Sequence, residues 1–382
     1  MDCVVVRYGE LGTKSSRVRG RMERQLRDNL AAVLVDRGID GHVERHDGRL
    51  VVDTPMPSLA ADAAAEIPGV VSTSPARRTP AEFDRIQHAL VELAEANAPF
   101  DSYAVRASRG TDAHRFTSLE LERSGGSAIG VTTEATVDLD APDVTFEADV
   151  RVEEAFVFTD RIDGPGGLPV GSQAPLVALV SGGVDSPVAA FEAMRRGSPI
   201  VPVYVDLGSY GGPDHRARAL AACGRLRRRA PNHDGRPYVI DGSETIQLLA
   251  DRVERGRMLS LRRYFFAAAE TIADETDAAG IVTGEVIGQK SSQTARNLQV
   301  TSAATTLPIH RPLLSVDKPV LIERAKALGT YEEAAIPAGC NRLAPPRPET
   351  DGRIEGLSAV EPDDLLERAR IDARAATRVD VG

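Results

Sequence analysis

Four short apolar stretches in the second half of the chain, 176–181, 199–205, 237–240 and 279–283, alternate with helical periodicity at 186–196, 215–229, 257–276, 292–303 and 317–328. Strands that are apolar on both sides must be covered on both faces. The alternation therefore predicts a doubly wound parallel sheet with a ligand crevice at the carboxyl ends of its strands. The first stretch runs straight into Ser181-Gly182-Gly183-Val184-Asp185-Ser186-Pro187. A Ser-Gly-Gly turn at a helix start aims backbone N–H groups and the positive helix end at one point, which suits a polyphosphate without a Walker lysine. Asp185 would repel such an anion unless Mg²⁺ stands between them, so the spacing points to MgATP. The plainer alternative is an ordinary strand-to-helix turn with Asp185 or Ser186 as N-cap.

The first half reads differently. Residues 2–7 are β-branched, 14–37 carry helical periodicity, and 41–46 and 49–53 flank Asp47-Gly48, a two-residue hairpin signal. After this β-α-β-β order come helix 81–96, strand 101–107, helix 117–129 and strands near 135–139, 144–150 and 155–162. Glycine and proline crowd residues 165–171 too densely for either periodicity to continue, which sets the main boundary there. Beyond Arg342 the chain is rich in Pro, Asp and Glu and is expected to pack loosely around one short helix near 362–376. A length of 382 residues calls for more than one core, and 42% apolar against 27% charged residues exclude a disordered chain. No apolar run approaches the ~18 residues of a membrane span, and the first residues lack a leader pattern. A cytoplasmic protein with no membrane partner is expected. Cys3, Cys223 and Cys340 are too few and too scattered for a disulfide framework or structural zinc.

The complete Ser-Gly-Gly-x-Asp-Ser pattern after a buried strand is the signature of ATP pyrophosphatases, which split ATP between the α- and β-phosphates and adenylate a substrate. Further motifs stand in order along the chain: Arg7-Tyr8-Gly9-Glu10 with Lys14, Gly166-Gly167-Leu168-Pro169-Val170-Gly171, Thr283-Gly284-Glu285, and Gly288-Gln289-Lys290-Ser291-Ser292-Gln293-Thr294. Arg311-Pro312-Leu313-Leu314, Asp317-Lys318 and Ile336-Pro337-Ala338-Gly339-Cys340 follow. With these motifs the chain resembles the tRNA 4-thiouridine synthetase (tRNA sulfurtransferase) family over nearly its whole length. The resemblance implies an N-terminal ferredoxin-like α+β domain at 1–57 and a THUMP α/β RNA-binding domain at 58–164. A linker at 165–174, a doubly wound PP-loop ATP pyrophosphatase domain at 175–345 and a tail with a short helix at 346–382 complete the implied α/β organisation.

Carried over by position, the resemblance implies ATP contacts at Leu179, Val180, Ser181, Gly182, Gly183, Asp185, Ser186, Tyr204, Val205, Arg262, Gly284 and Gln293, with Mg²⁺ on Asp185. Lys318 matches a lysine that offsets developing phosphate charge, and Cys340 a cysteine that handles sulfur. Each has a plainer reading: strand packing for Tyr204 and Val205, a solvated helix end for Lys318, a small buried hydrophobe for Cys340. Only 42 residues follow Cys340, too few for the rhodanese-like domain of some relatives, which leaves Cys223 as the internal thiol to resolve a persulfide. The implied reaction adenylates O4 of the uridine at tRNA position 8 and then replaces that oxygen with sulfur, giving 4-thiouridine. Its partners would be tRNA and a sulfur donor, either a cysteine desulfurase persulfide or free sulfide. A homodimer is an assembly the resemblance allows, and some relatives also serve thiamine thiazole synthesis. A tRNA 2-thiolase, an amide-forming ligase, and an RNA-binding protein regulated by a nucleotide without chemistry remain alternatives.

The net charge of −10 disfavours RNA unless positive charge is concentrated locally. Residues 14–27 hold six basic residues against one acid, 216–229 six against none, and 252–263 five against one. Lys14, Arg17, Arg21 and Arg24 fall on one side of the first predicted helix, with Met22, Leu26, Leu30 and Val33 on the other. Arg106, Arg109 and Arg115, in the THUMP-like segment, are further candidates for tRNA contact. With 4% aromatic residues and no Trp, phosphate and shape recognition of folded RNA is expected over base stacking.

Overall fold

The computed structural model describes residues 1–334 and 343–381. The chain divides after Leu168 into two units. The first contains β1 (Cys3–Arg7), a 3-10 turn, α1 (Ser16–Asp36), β2 (His42–His46), β3 (Arg49–Asp53), α2 (Pro57–Ala65), β4 (Ser72–Pro80), α3 (Phe83–Asn97) and β5 (Ser102–Arg109). It continues with α4 (Ser118–Thr133), β6 (Thr136–Val137), β7 (Val144–Val150), β8 (Glu154–Phe158) and β9 (Ile162–Asp163). These strands form one sheet in the order β2-β3-β1-β4-β8-β7-β5-β6, with β9 also on β4. The strands and α-helices from β1 to β4 have the β-α-β-β-α-β order of a ferredoxin-like fold. Asp47 and Gly48 both take positive φ, 24° and 80°, as the twist of a two-residue hairpin requires.

Two elements of this unit have no counterpart in the sequence reading. In α2 the residues Ala60, Ala61, Ala63, Ala64 and Ala65 are all buried, so no polar face marks the period. The long β4 lacks apolar alternation and contains Pro75 and Pro80, yet it joins the two halves of the sheet. It pairs with β1 through Cys3↔Ala76 and Arg7↔Ser72, and with β8 through Arg77↔Val157 and Pro80↔Glu154.

The second unit begins with β10 (Leu176–Leu179), α5 (Asp185–Arg195), β11 (Ile200–Asp206), α6 (Pro213–Arg227), β12 (Tyr238–Asp241), α7 (Ser243–Arg252), α8 (Arg257–Thr276) and β13 (Ile281–Val282). It continues with α9 (Ala295–Ser302), β14 (Ile309–His310), α10 (Lys318–Leu328), α11 (Tyr331–Ala334), α12 (Ile354–Ser358), α13 (Leu365–Arg374) and β15 (Thr377–Arg378). The expected doubly wound sheet is present, in the order β14-β13-β10-β11-β12-β15. The chain moves outward from β10 through β11 to β12 and returns to the opposite side of β10 at β13, so the strand order reverses beside β10. In such sheets the crevice opens at that reversal.

The segment beyond Arg342 differs from the loose packing expected of it. In α13 the small face Leu365, Ala369 and Ala373 is buried in the same core as α8. Tyr264 Oη and Thr245 Oγ1 both donate to Asp372 Oδ2, at 2.7 and 3.0 Å. β15 then adds an antiparallel edge to β12 through Tyr238↔Arg378 and Val239↔Thr377. A stripe of one leucine and two alanines gives too little contrast to reveal this burial in a Pro- and Glu-rich stretch. Among the described residues no helix is long and apolar enough to cross a membrane.

Candidate nucleotide and RNA sites

The crevice beside β10 is where the Ser181–Ser186 turn folds. Ser186 Oγ accepts from the Ser181 N–H at 2.8 Å and lies 3.0 Å from Ser181 Oγ, which in turn accepts from the Gly183 N–H at 3.3 Å. The two hydroxyls thus shape the turn from within, and α5 starts at Asp185 with no side-chain N-cap. The first N–H groups of any helix lack intrahelical acceptors, so the end of α5 offers donors and a positive dipole to an anion. Two glycines permit close approach. A Cβ on Gly182 would stand 2.8 Å from the His215 carbonyl oxygen, and one on Gly284, just past β13, 2.8 Å from the Ser186 nitrogen.

Lys318, the first residue of α10, reaches 133 positions back along the chain to place Nζ 2.8 Å from Asp185 Oδ1. Gln289 Nε2 donates to Asp185 Oδ2 at 3.1 Å. The carboxylate at the mouth of the turn is therefore held by one cation and one amide. Lys318 is half exposed and Asp185 less so, which leaves the pair open to exchange partners.

A second cluster fixes the segment after β13. Glu285, 4% exposed, pairs through Oε1 with Arg262 Nη1 at 3.2 Å and through Oε2 with Arg311 Nε at 2.8 Å. Arg262 Nη1 also donates to the Ser292 carbonyl at 3.1 Å, and with the Gln293 amide nitrogen on the Val286 carbonyl, the Gln293 oxygen accepts from Arg262 Nη2. Burial lowers the Arg262 pKa from its usual range, opposed by Glu285 and reinforced by Arg311. Two guanidinium groups on one carboxylate leave a net positive charge in the crevice wall. Arg262 and Gln293 therefore organise the 285–293 segment. The sequence reading did not single out Glu285, Gln289 or Arg311 as site residues, although all three lie in the quoted motifs. What those motifs lacked was any sign of which side chains meet.

Tyr204 and Val205 are buried at 1% and 7%. The Tyr204 hydroxyl lies 3.1 Å from His215 Nδ1, under the Gly182 side of the turn, and burial lowers the His215 pKa. Their side chains are thus packing groups. The backbone is another matter: the Val203 carbonyl accepts from the Val180 N–H at 2.9 Å, whereas β10 pairs no further than Leu179↔Val203. Peptide groups alternate sides along a strand, so those of Val205 face the same way as Val203 and pass the end of β10 into the crevice.

Cys340 lies outside the described residues. Cys223 is fully buried among Ala222, Leu226 and Val188, and burial pushes its thiol up to about 12. A thiol that is neutral and inaccessible is a poor nucleophile, so this conformation does not present Cys223 as a resolving thiol. Cys3 is buried too, and burial raises its thiol as well.

The first of the three basic runs is a solvated face. Lys14, Arg17, Arg21 and Arg24 are exposed, while Met22, Leu26, Leu30 and Val33 are buried beneath them. The other runs are mixed: Arg216, Arg228, Arg252 and Arg255 are exposed, while Arg229, Arg257 and Arg263 turn inward. Arg229 is buried, with Nη1 donating to the Arg225 carbonyl and its guanidinium 5.6 Å from the Phe191 ring. Arg263 pairs with Glu361, both 7% exposed, and Arg257 donates to the Val253 and Ala250 carbonyls at the end of α7. In the 106–115 segment, Arg106 and Arg115 are exposed, whereas Arg109 donates to the Phe116 carbonyl and pairs with Asp112. Reversing Arg17, Arg21 and Arg24 to Glu together is expected to weaken RNA binding and flatten the log K against log salt slope by about three, one for each phosphate contact. A fluorescence titration across salt concentrations checks this; an unchanged slope would place the RNA surface elsewhere.

Comparison with known proteins places the chain among relatives along its whole length. The family model described as thiamine biosynthesis protein (ThiI) matches residues 171–364, that of the ThiI ferredoxin-like domain 3–74, and that of the THUMP domain 80–160. A curated relative in Halobacterium salinarum, described as a probable tRNA sulfurtransferase, is 52% identical over 100% of this chain and 98% of its own length. The tRNA sulfurtransferase of Thermoplasma acidophilum is 33% identical over 100% of this chain and 79% of its own. Among solved structures, a 4-thiouridine synthetase in complex with RNA and with bound ATP matches at a TM-score of 0.85 and 29% identity, covering 100% of both chains.

Proposed function

The chain belongs to the ThiI family, whose members include full-length relatives described as tRNA sulfurtransferases, and on that premise we propose that it converts uridine 8 of tRNA to 4-thiouridine at the expense of ATP. The observation that carries this reading is the Asp185 carboxylate held between Lys318 and Gln289, at the mouth of a phosphate-binding turn and at the sheet's reversal point. ATP binds with its phosphates on the Ser181–Ser186 turn and the N-terminus of α5, and its adenine at the Val205 backbone. Asp185 suits Mg²⁺, which is commonly held by one or two carboxylates together with substrate phosphates, and which when bound would neutralise pyrophosphate charge. Lys318 is close enough to follow the negative charge from Asp185 to the phosphates as it develops.

In the first step uridine O4 attacks the α-phosphorus. The O4–P bond forms, the Pα–O bond to the β-phosphate breaks, and pyrophosphate leaves. Sulfur then attacks C4, and the C4–O4 bond breaks with AMP as leaving group. With sulfide as donor this balances without a redox partner. With a persulfide on Cys340, a second thiol must cleave the S–S bond and end as a disulfide. Burial makes Cys223 a packing residue, so that thiol would come from elsewhere. Exposed Lys14, Arg17, Arg21 and Arg24 contact tRNA phosphates, helped by Arg106 and Arg115, in the cytoplasm where tRNA is found. The test is the reaction itself: AMP and pyrophosphate should appear in step with sulfur in the RNA, and only when tRNA is present. A nucleotide-regulated RNA-binding protein would release neither.

A further inference from the structure

Beside the nucleotide crevice lies a cavity of about 100 Å³, bounded by the start of α8, the 290–292 segment and residues 344–349. At roughly 10–15 Å³ per water-sized sphere, that is space for about eight heavy atoms, the size of a uracil ring. Met258, Pro345 and Pro348 give it apolar walls, and Lys290, Ser291 and Glu349 give it polar edges. Flat apolar walls with a few polar groups at the rim suit an uncharged heterocycle. Methionine and proline supply such walls in a chain with no Trp.

The cavity shares a wall with the nucleotide site. Ser292, which lines it, accepts from Arg262 through its carbonyl. Met258 and Arg262 stand four residues apart on α8, hence on one face and about 6 Å apart along the axis. Lys290 follows Gln289, whose amide holds Asp185. The cavity and the Val205 backbone lie on opposite flanks of β10, because the 283–292 segment leaves β13 and Val205 ends β11. One flank serves the adenine and the other remains for a second base, with the phosphate turn between them.

We propose that this cavity receives the uracil of the target nucleotide, turned out of the RNA stack, with the edge to be adenylated toward Arg262 and the phosphate turn. The assignment rests on the sulfurtransferase reading. An enzyme that works on a base edge must bring that base out of its stacked environment into a pocket, and the pocket must adjoin the group that reacts with it.

The product supplies the probe, since 4-thiouridine cross-links on near-ultraviolet irradiation to whatever touches it. RNA carrying 4-thiouridine at the target position, irradiated on the full-length protein, should label peptides spanning 257–262, 289–294 or 343–349. Label confined to other peptides overturns the assignment. Met258→Trp, which fills the cavity, should lower 4-thiouridine formation about 100-fold, as expected for a misplaced reacting group, with ATP and tRNA affinities within about two-fold of wild type. Undiminished thiolation by this variant also overturns it. Should the variant fail to fold, the cross-link on the wild-type chain still decides. Wild-type thiolation measured alongside separates failure of this pocket from failure of the sulfurtransferase reading.

Discussion

Asp185→Ala is expected to lower 4-thiouridine formation by about 1000-fold or more, while tRNA affinity stays within about two-fold of the wild-type value. The turn around it is shaped by Ser181 and Ser186, not by the aspartate side chain, so the phosphate cradle should survive the substitution. What disappears is the carboxylate that Lys318 and Gln289 orient and the donor suited to Mg²⁺. The loss should not be one of stability. A partly exposed ion pair contributes about 0.2–1 kcal/mol, so the thermal midpoint should move by only a few degrees. The RNA contact proposed for α1 lies in the other unit, which the substitution does not touch. Wild-type pyrophosphate release by the variant would contradict the role given to Asp185.

Lys318→Ala is expected to cost about 100- to 1000-fold in thiolation and to change stability by no more than about 1 kcal/mol. A lysine in the first turn of a helix faces the positive end of the dipole, where cations are disfavoured by about 0.3–1 kcal/mol. Helix α10 has Lys318 at that position, offset by the N-cap Asp317 and by the ion pair with Asp185. A lysine set against the dipole and turned to Asp185 is what a functional residue shows, and removing it should disable the site with little net change in stability, the lost ion pair offsetting the relieved helix end. Lys318→Arg should rescue only in part, because a planar fork does not replace a compact ammonium that swings between a carboxylate and phosphates. Parallel loss of activity and thermal stability in Lys318→Ala would make the residue structural.

How far the sequence reveals these features follows from which forces write local patterns. The Ser181–Ser186 turn was legible because glycine, serine and a buried strand each leave a mark, and the parallel sheet because doubly covered strands are apolar throughout. The α2 helix was hidden by its alanines, and β4 by its prolines and hydroxyl residues, since both are stabilised by partners far along the chain. Charge was legible only in part, for a related reason. Arg229, Arg257 and Arg263 are satisfied by carbonyls, an aromatic ring and Glu361, and none of these acceptors is marked in an arginine run. The cluster of Glu285 with Arg262 and Arg311 depends on β13 and α8 meeting, so its members could be quoted as motifs without their contacts being foreseen.

The most direct test is a nucleoside digest. Unmodified tRNA is incubated with the protein, MgATP and sulfide, digested, and analysed by mass spectrometry. The expected result is 4-thiouridine at position 8, with one AMP and one pyrophosphate formed for each sulfur incorporated. ATP cleaved to ADP and phosphate, or sulfur found at C2 of the base, would contradict it.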